Sequence, residues 1–203
     1  DTGYDLPGLR VIPQIVDVDI EAEGQLFATD LGGVGGRAKV RRETLADRCA
    51  RAAELVAAEP DEPWILWCAL NDEAQELTRL IPGAVNVHGS LSPDEKADKL
   101  LAFADGEFRV MVTKPQIASQ GLNYQHCARM AFVGLSDSYE SYYQAIRRCY
   151  RYGQTRVVDA HVVLSALESQ IAANVARKER EAGSLTESLV AEMRRARTGG
   201  IAA

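Results

Sequence analysis

Nowhere in these 203 residues does Gly-Lys-Ser or Gly-Lys-Thr occur. A phosphate-binding loop of the form G-x-x-x-x-G-K-[ST] needs that lysine and that hydroxyl for the γ-phosphate and the magnesium, so the chain does not bind ATP by this device. The dinucleotide fingerprint G-x-G-x-x-G is also missing. The cysteines are few, at positions 49, 68, 127 and 149, with no C-x-x-C pair and no regular spacing. That suggests neither a disulfide framework nor a zinc site, and the four read as buried thiols in a reducing compartment. No apolar run approaches the roughly 20 residues that span a bilayer, and the opening DTGYDLPGLR lacks the apolar core of a secretory signal. The expectation is a soluble, cytoplasmic protein with no membrane partner. Because the sequence opens on Asp1 and not on methionine, we expect a piece of something longer.

The remaining composition allows a proper core, since 46% of the residues are hydrophobic. Short apolar or alternating runs predict strands at 64–70, 85–88, 109–113, 129–135 and 157–164. Helical patterns lie between them. From Glu43 to Glu59 a stripe of Leu45, Cys49, Ala52, Ala53 and Val56 predicts one helix, and a second is expected from about Asp72 to Leu80. The third starts at Ser92 as N-cap, with Pro93 at the first position and Glu95 closing a capping box. Its expected buried face is Leu100, Leu101 and Phe103, and its end Gly106. Strands separated by single helices imply right-handed crossovers and a mainly parallel sheet, so the fold class is α/β. Ahead of this lies 1–42, an exposed-looking strand at 10–20 and a glycine-rich basic loop with Arg37, Lys39, Arg41 and Arg42. The body is expected at 43–165, followed by a charged helical extension over 166–203.

One more absence is local. The net charge is -6, yet no Asp or Glu stands between Glu140 and Asp159, while Arg147, Arg148, Arg151 and Arg156 do. Asp137 as N-cap with Glu140 three residues on predicts a helix from about Tyr139 to Arg151. At about 100° per residue, Tyr142, Ala145, Ile146 and Cys149 gather on one side and Gln144, Arg148 and Arg151 on the other. A solvated charged face is the plain alternative, but such faces normally mix signs. Two guanidinium forks one turn apart suit a polyanion with several oxygens. Other candidates read as structural. His126 beside Cys127 lacks a third metal ligand; His161 alternates within a strand; Trp64 and Trp67 face opposite sides for packing; Ser136-Asp137-Ser138, without a G-x-S-x-G elbow, is helix capping.

The stretch D-S-Y-E-S-Y-Y-Q-A-I-R-R-C-Y-R-Y-G-Q (137–154) resembles motif VI of superfamily-two helicases, in the form found in Swi-Snf-type translocases and phage-encoded DEAD-box-like helicases. V-M-V-T-K-P-Q-I-A-S-Q-G-L-N-Y-Q (110–125) is similar to motif V, W-I-L-W-C-A-L to the motif IV strand, and V-H-G-S-L-S-P-D-E-K to the segment after it. The resemblance implies a RecA-like parallel sheet flanked by helices, the C-terminal of two motor lobes. It implies that Arg148 and Arg151 are arginine fingers, catalytic toward the nucleotide, with Gln144, Gly121 and Asn123 in the nucleotide cleft. Thr113, Lys114, His88, Gly89 and Ser90 would meet nucleic acid, with DNA favoured. ATP and Mg²⁺ would be held mainly by a first lobe, in cis or in trans, because Asp72-Glu73 opens a helix and is not read as the magnesium-binding acid box. The implied setting is a bacterial or phage-infected cell. Two other readings stay open: a nucleic-acid or protein adaptor without catalysis, and a self-contained α/β enzyme using the arginine face for another phosphorylated substrate.

Overall fold

The computed structural model describes residues 6–17, 40–118, 122–134 and 139–168. Several expectations lie outside the described residues: the glycine-rich loop with Arg37 and Lys39, Gly121, the N-cap Asp137, and the extension beyond 168. The chain runs β1 (Leu9–Val16), α1 (Leu45–Ala58), β2 (Trp64–Cys68), α2 (Asn71–Leu80), β3 (Ala84–Val87), α3 (Pro93–Ala104), β4 (Val110–Thr113), β5 (Arg129–Val133), α4 (Tyr139–Ile146), β6 (Val158–Ser165) and a 3-10 turn, Ala166–Glu168. The strands form a single sheet in the order β1-β6-β5-β2-β4-β3, and every pairing is parallel. Among the described residues no helix is long and apolar enough to cross a membrane.

Helices on both faces explain why β2 reads as unbroken apolar sequence: all five of its residues are buried. Trp64 and Trp67 point to opposite sides, as their spacing predicts. Trp64 joins Cys49, Ala52 and Val56 of α1 and Leu77 of α2 in one core. Trp67 joins Leu100 and Phe103 of α3 and Tyr142, Ala145 and Ile146 of α4 in the other. The capping box of α3 forms as read, with Ser92 Oγ accepting from Glu95 N at 3.2 Å and Glu95 Oε2 accepting from Ser92 N at 2.9 Å. The bonds that this carboxylate accepts from Ser92 N and from Ser92 Oγ hold it below its usual range. Leu101 differs from expectation and stands 47% exposed. Successive helical residues are about 100° apart, so a face built on Leu100 and Phe103 turns Leu101 outward.

Two further features were not read from the sequence. The strand at 10–20, set apart from the lobe, is its edge: all eight residues of β1 pair with β6, and Arg10 forks onto Asp159 at 2.6 Å through both Nε and Nη2. An edge strand covered on one face alternates, which explains its pattern. The second is a charge pair inside the core. Arg48 of α1 and Glu73 of α2 have fully buried side chains, joined Nη1 to Oε1 at 2.7 Å. Glu73 Oε2 accepts from the backbone of Ala69 and Leu70, both at 2.9 Å. Arg48 also donates to Thr44 Oγ1 at 3.1 Å and to the Arg41 carbonyl at 2.5 Å, and Glu168 lies 3.5 Å from its Nε. Gly134, at φ +77°, closes over this pair.

Candidate functional site

The predicted helix over Tyr139 to Arg151 ends at Ile146, and Arg147 to Arg151 continue as turns. Arg148 O accepts from Tyr124 N at 2.9 Å, and Cys149 O accepts from the side chain of Gln154 at 3.3 Å. Within the turn the amides of Arg148 and Cys149 bond three residues back, to Ala145 and Ile146. The helix thereby tightens and stops. Gln144 remains on α4 and is exposed, whereas Arg148 and Arg151 sit half-buried in the turn. The regular helical projection therefore places Gln144 but not the two arginines.

The four arginines of this stretch have different fates. Arg147 lies over the Tyr143 ring, 5.3 Å from its centroid, on the outside. Arg156 is committed to structure, with Nη1 2.7 Å and 2.9 Å from the two carboxylate oxygens of Glu62 and Nη2 bonded to His126 O at 2.7 Å. Arg151 donates through Nη1 to Asn123 Oδ1, so two residues 28 positions apart in sequence, assigned separately to the site, meet directly. The backbone of the next residue, Tyr124, holds Arg148.

Gln154 carries no role in the sequence reading, yet it is 5% exposed and uses its whole amide. Its Nε2 donates to Cys127 O at 3.1 Å as well as to Cys149 O, and its Oε1 accepts from Thr155 N and Arg156 N at 3.0 Å. That satisfies both donors and both acceptor sites. Gln125 adds a bond from Nε2 to Tyr152 O at 2.5 Å. The signal available in the sequence was the Gly153-Gln154 pair. Gly153 has φ +91°, and a Cβ there would lie 2.8 Å from Gln125 Nε2, so glycine is required where these strands of chain cross. Burial pushes the Cys149 thiol well above its usual range, and a hydrogen bond with Cys127 adds to the shift. It also pushes the Tyr124 hydroxyl up and the imidazole of His126 down. His126 packs edge-on against Phe103, 4.9 Å between centroids, and His161 lies 5.6 Å from Trp64 within the sheet. Both are packing residues here.

The other candidates stand elsewhere. Thr113 ends β4 opposite Val87 of β3, fully buried, with its hydroxyl donating to Val87 O at 2.9 Å. Its side chain is thus occupied in joining two strands. Lys114 follows half-buried, close enough to Cys68 to oppose the rise in that thiol's pKa that burial causes. On the neighbouring strand end, Gly89 and Ser90 are exposed and His88 Nδ1 is 2.8 Å from Ser90 Oγ. These residues crown the carboxyl ends of β3 and β4, where ligands of open α/β sheets gather. The arginine turn lies toward the opposite end, because α4 runs back along the sheet and Arg156 reaches Glu62, two residues ahead of β2. A five-residue strand separates the two groups by roughly 17 Å.

Comparison with known proteins follows this geometry. Residues 47–153, more than half of the chain, match the family described as helicase conserved C-terminal domain. Among solved structures, the C-terminal part of the Fun30 ATPase domain is similar at 15% identity and TM-score 0.55, covering 61% of this chain and 43% of that one. The C-terminal domain of the DEAD-box protein Dbp5 is similar at 17% identity and TM-score 0.55, covering 66% and 78%. The ADP-bound RNA helicase Prp28 from Chaetomium thermophilum gives 14% identity and TM-score 0.57, covering 89% of this chain and 38% of that one. The chain thus spans less than half of the Fun30 and Prp28 chains. None of the curated proteins matches it. Identities this low speak for the fold alone, and that fold is the six-stranded RecA-like lobe; with the family match over residues 47–153, the chain belongs to the helicase conserved C-terminal domain family.

Proposed function

We propose that this lobe is the second motor lobe of a nucleic-acid-dependent ATPase, and that it supplies the arginines that complete an ATP site built mainly by a first lobe. The observation that carries the reading is the meeting of Arg151 with Asn123, which joins the motif V-like and motif VI-like segments at one place. Arg148 and Arg151 are the finger arginines, and Gln144, Gly121 and Asn123 complete their side of the cleft. Guanidinium groups held there offset charge on the γ-phosphoryl oxygens, an effect worth about 10³–10⁵ in rate. Magnesium and the remaining phosphate contacts belong to the first lobe. At the other end of the sheet, Lys114, His88, Gly89 and Ser90 face the tracked strand. DNA is the favoured track, on the resemblance of R-x-x-R-x-G-Q to Swi-Snf-type motors.

The test uses the 203-residue chain and the gene product that contains it together with a Walker lysine. The chain alone gives no ATP turnover. The two-lobed protein hydrolyses ATP when DNA is added, and Arg151→Ala lowers kcat by about 10³-fold or more while DNA affinity is retained. Equal loss of hydrolysis and binding refutes the finger assignment. DNA binding with no hydrolysis in the two-lobed protein makes the lobe an adaptor, and turnover by the chain alone makes it a self-contained enzyme.

A further inference from the structure

The segment Asn123 to Cys127 meets the arginine turn at four of its five positions. Asn123 Oδ1 accepts from Arg151 Nη1. Tyr124 N donates to Arg148 O at 2.9 Å, Gln125 Nε2 donates to Tyr152 O at 2.5 Å, and Cys127 O accepts from Gln154 Nε2 at 3.1 Å. Of these four contacts only that of Asn123 reaches a guanidinium of the turn, while the remaining position, His126, meets the Arg156 guanidinium beyond it through its carbonyl. Among the described residues Asn123 is the one hydrogen-bond partner of the Arg151 side chain, whose Nε is covered and meets no acceptor. The heading of the Arg151 fork is therefore set by a single amide oxygen.

We infer that Asn123 is a positioning residue for Arg151, the terminal peg of a template at 123–127 on which the arginine turn is mounted. Its functional meaning rests on the motor-lobe reading: the fork is aimed before any nucleotide or first lobe arrives. Preorganisation of this kind removes part of the side-chain entropy that would otherwise be lost when the guanidinium engages phosphate. A template with a single peg on a guanidinium of the turn also separates two jobs, since the turn can hold its shape while the fork is freed. Removing the Asn123 oxygen should accordingly leave the fold intact and release only the guanidinium.

That separation makes the inference testable on this chain alone, by nitrogen-15 spectra of the arginine side chains. The Arg151 signal is identified by its disappearance in Arg151→Lys. In the unaltered protein its guanidinium rotation is slow. In Asn123→Ala rotation speeds up on the order of tenfold or more, the expected loss of a charge-assisted bond. Asn123→Asp, which keeps an acceptor at the same place, restores slow rotation. Arg156, paired with Glu62, serves as internal control and is unchanged throughout, as is the unfolding midpoint. Fast rotation of Arg151 in the unaltered protein, or slow rotation surviving Asn123→Ala, overturns the inference. The ATPase assay reports on the motor-lobe reading and the spectra on the peg, so failure of one is distinguishable from failure of the other.

Discussion

Removing one member of the Arg48–Glu73 pair should destabilise the lobe far more than its small size suggests. In Glu73→Gln the amide must turn its nitrogen either toward Arg48 Nη1, 2.7 Å away, or toward the Ala69 and Leu70 N–H groups at 2.9 Å. Either way a donor faces a donor, and the Arg48 charge stays buried with Glu168 at 3.5 Å as its remaining counter-ion. Breaking a buried pair in this way costs about 3–5 kcal/mol. In Arg48→Met the carboxylate keeps its two backbone donors but loses its cation, so the cost falls in the same range. Arg48→Met/Glu73→Met removes both charges together and should cost less than the sum of the singles by about 2 kcal/mol or more. It is not neutral, because the freed Ala69 and Leu70 amides and the Arg41 carbonyl lose partners at about 1–3 kcal/mol for each group left unsatisfied. Urea unfolding reads this directly: with a slope near 2 kcal/mol per molar, each single variant moves the midpoint down by about 1.5–2.5 M. Singles that shift it by less than about 0.5 M, or a double variant equal to their sum, would refute a buried, interdependent pair.

Gly134→Ala should act on the same pair, since the new Cβ would lie 2.7 Å from Glu73 Oε1 and 2.8 Å from Arg48 Nη1 at a φ of +77°. The left-handed backbone alone costs about 1–2 kcal/mol for an L-residue, so a loss no larger than that would show that the pair gives way freely, and an unchanged midpoint would contradict the strained backbone as well. Acid should also weaken the fold through its histidines. Burial lowers the folded-state pKa of His126 and His161, so the unfolded chain takes up their protons first. Their contribution is complete above the ordinary histidine value of about 6.5 and is lost as pH falls through it. Between about pH 7.5 and about pH 5.5 the variant His126→Gln/His161→Gln should lose less stability than the unaltered protein, measured by thermal midpoint, and parallel losses would contradict this.

The architecture was legible because it is written in period and punctuation. Unbroken apolar runs marked strands covered on both faces, Ser92-Pro93-Glu95 marked a helix start, and their alternation required parallel pairing. What escaped was whatever depends on a partner distant in sequence. Arg48 and Glu73 look like surface helix charges until the two helices meet. Leu101 was counted into a buried face that the angle between neighbours does not allow. Thr113 was placed with nucleic acid by resemblance, but its hydroxyl is taken by Val87 across the sheet. Among the candidate residues, Asn123 and Arg151 were both named without any sign that they touch. Gln154 stood in plain view with no role.

The early end of α4 has a purpose that a continuous helix would not serve. In an unbroken helix from Tyr139 to Arg151, the carbonyls of Arg148 and Cys149 fall in the last turn, without intrahelical partners, and point along the axis and not toward the leader of β5. The arginines would then ride on a rod packed on the sheet through Tyr142, Ala145, Ile146 and Cys149. Ending the helix at Ile146 instead hands Arg148 O to Tyr124 N and Cys149 O to Gln154. That change costs some regular helical bonding, with Arg151 N left to bond Cys149 O at 3.1 Å in a tight turn, but it anchors the arginine backbone to the leader of β5. Because that leader runs straight into the central part of the sheet, the position of Arg148 and Arg151 is tied to the rigid body of the lobe. Movement of the lobe as a unit therefore carries its arginines without slack.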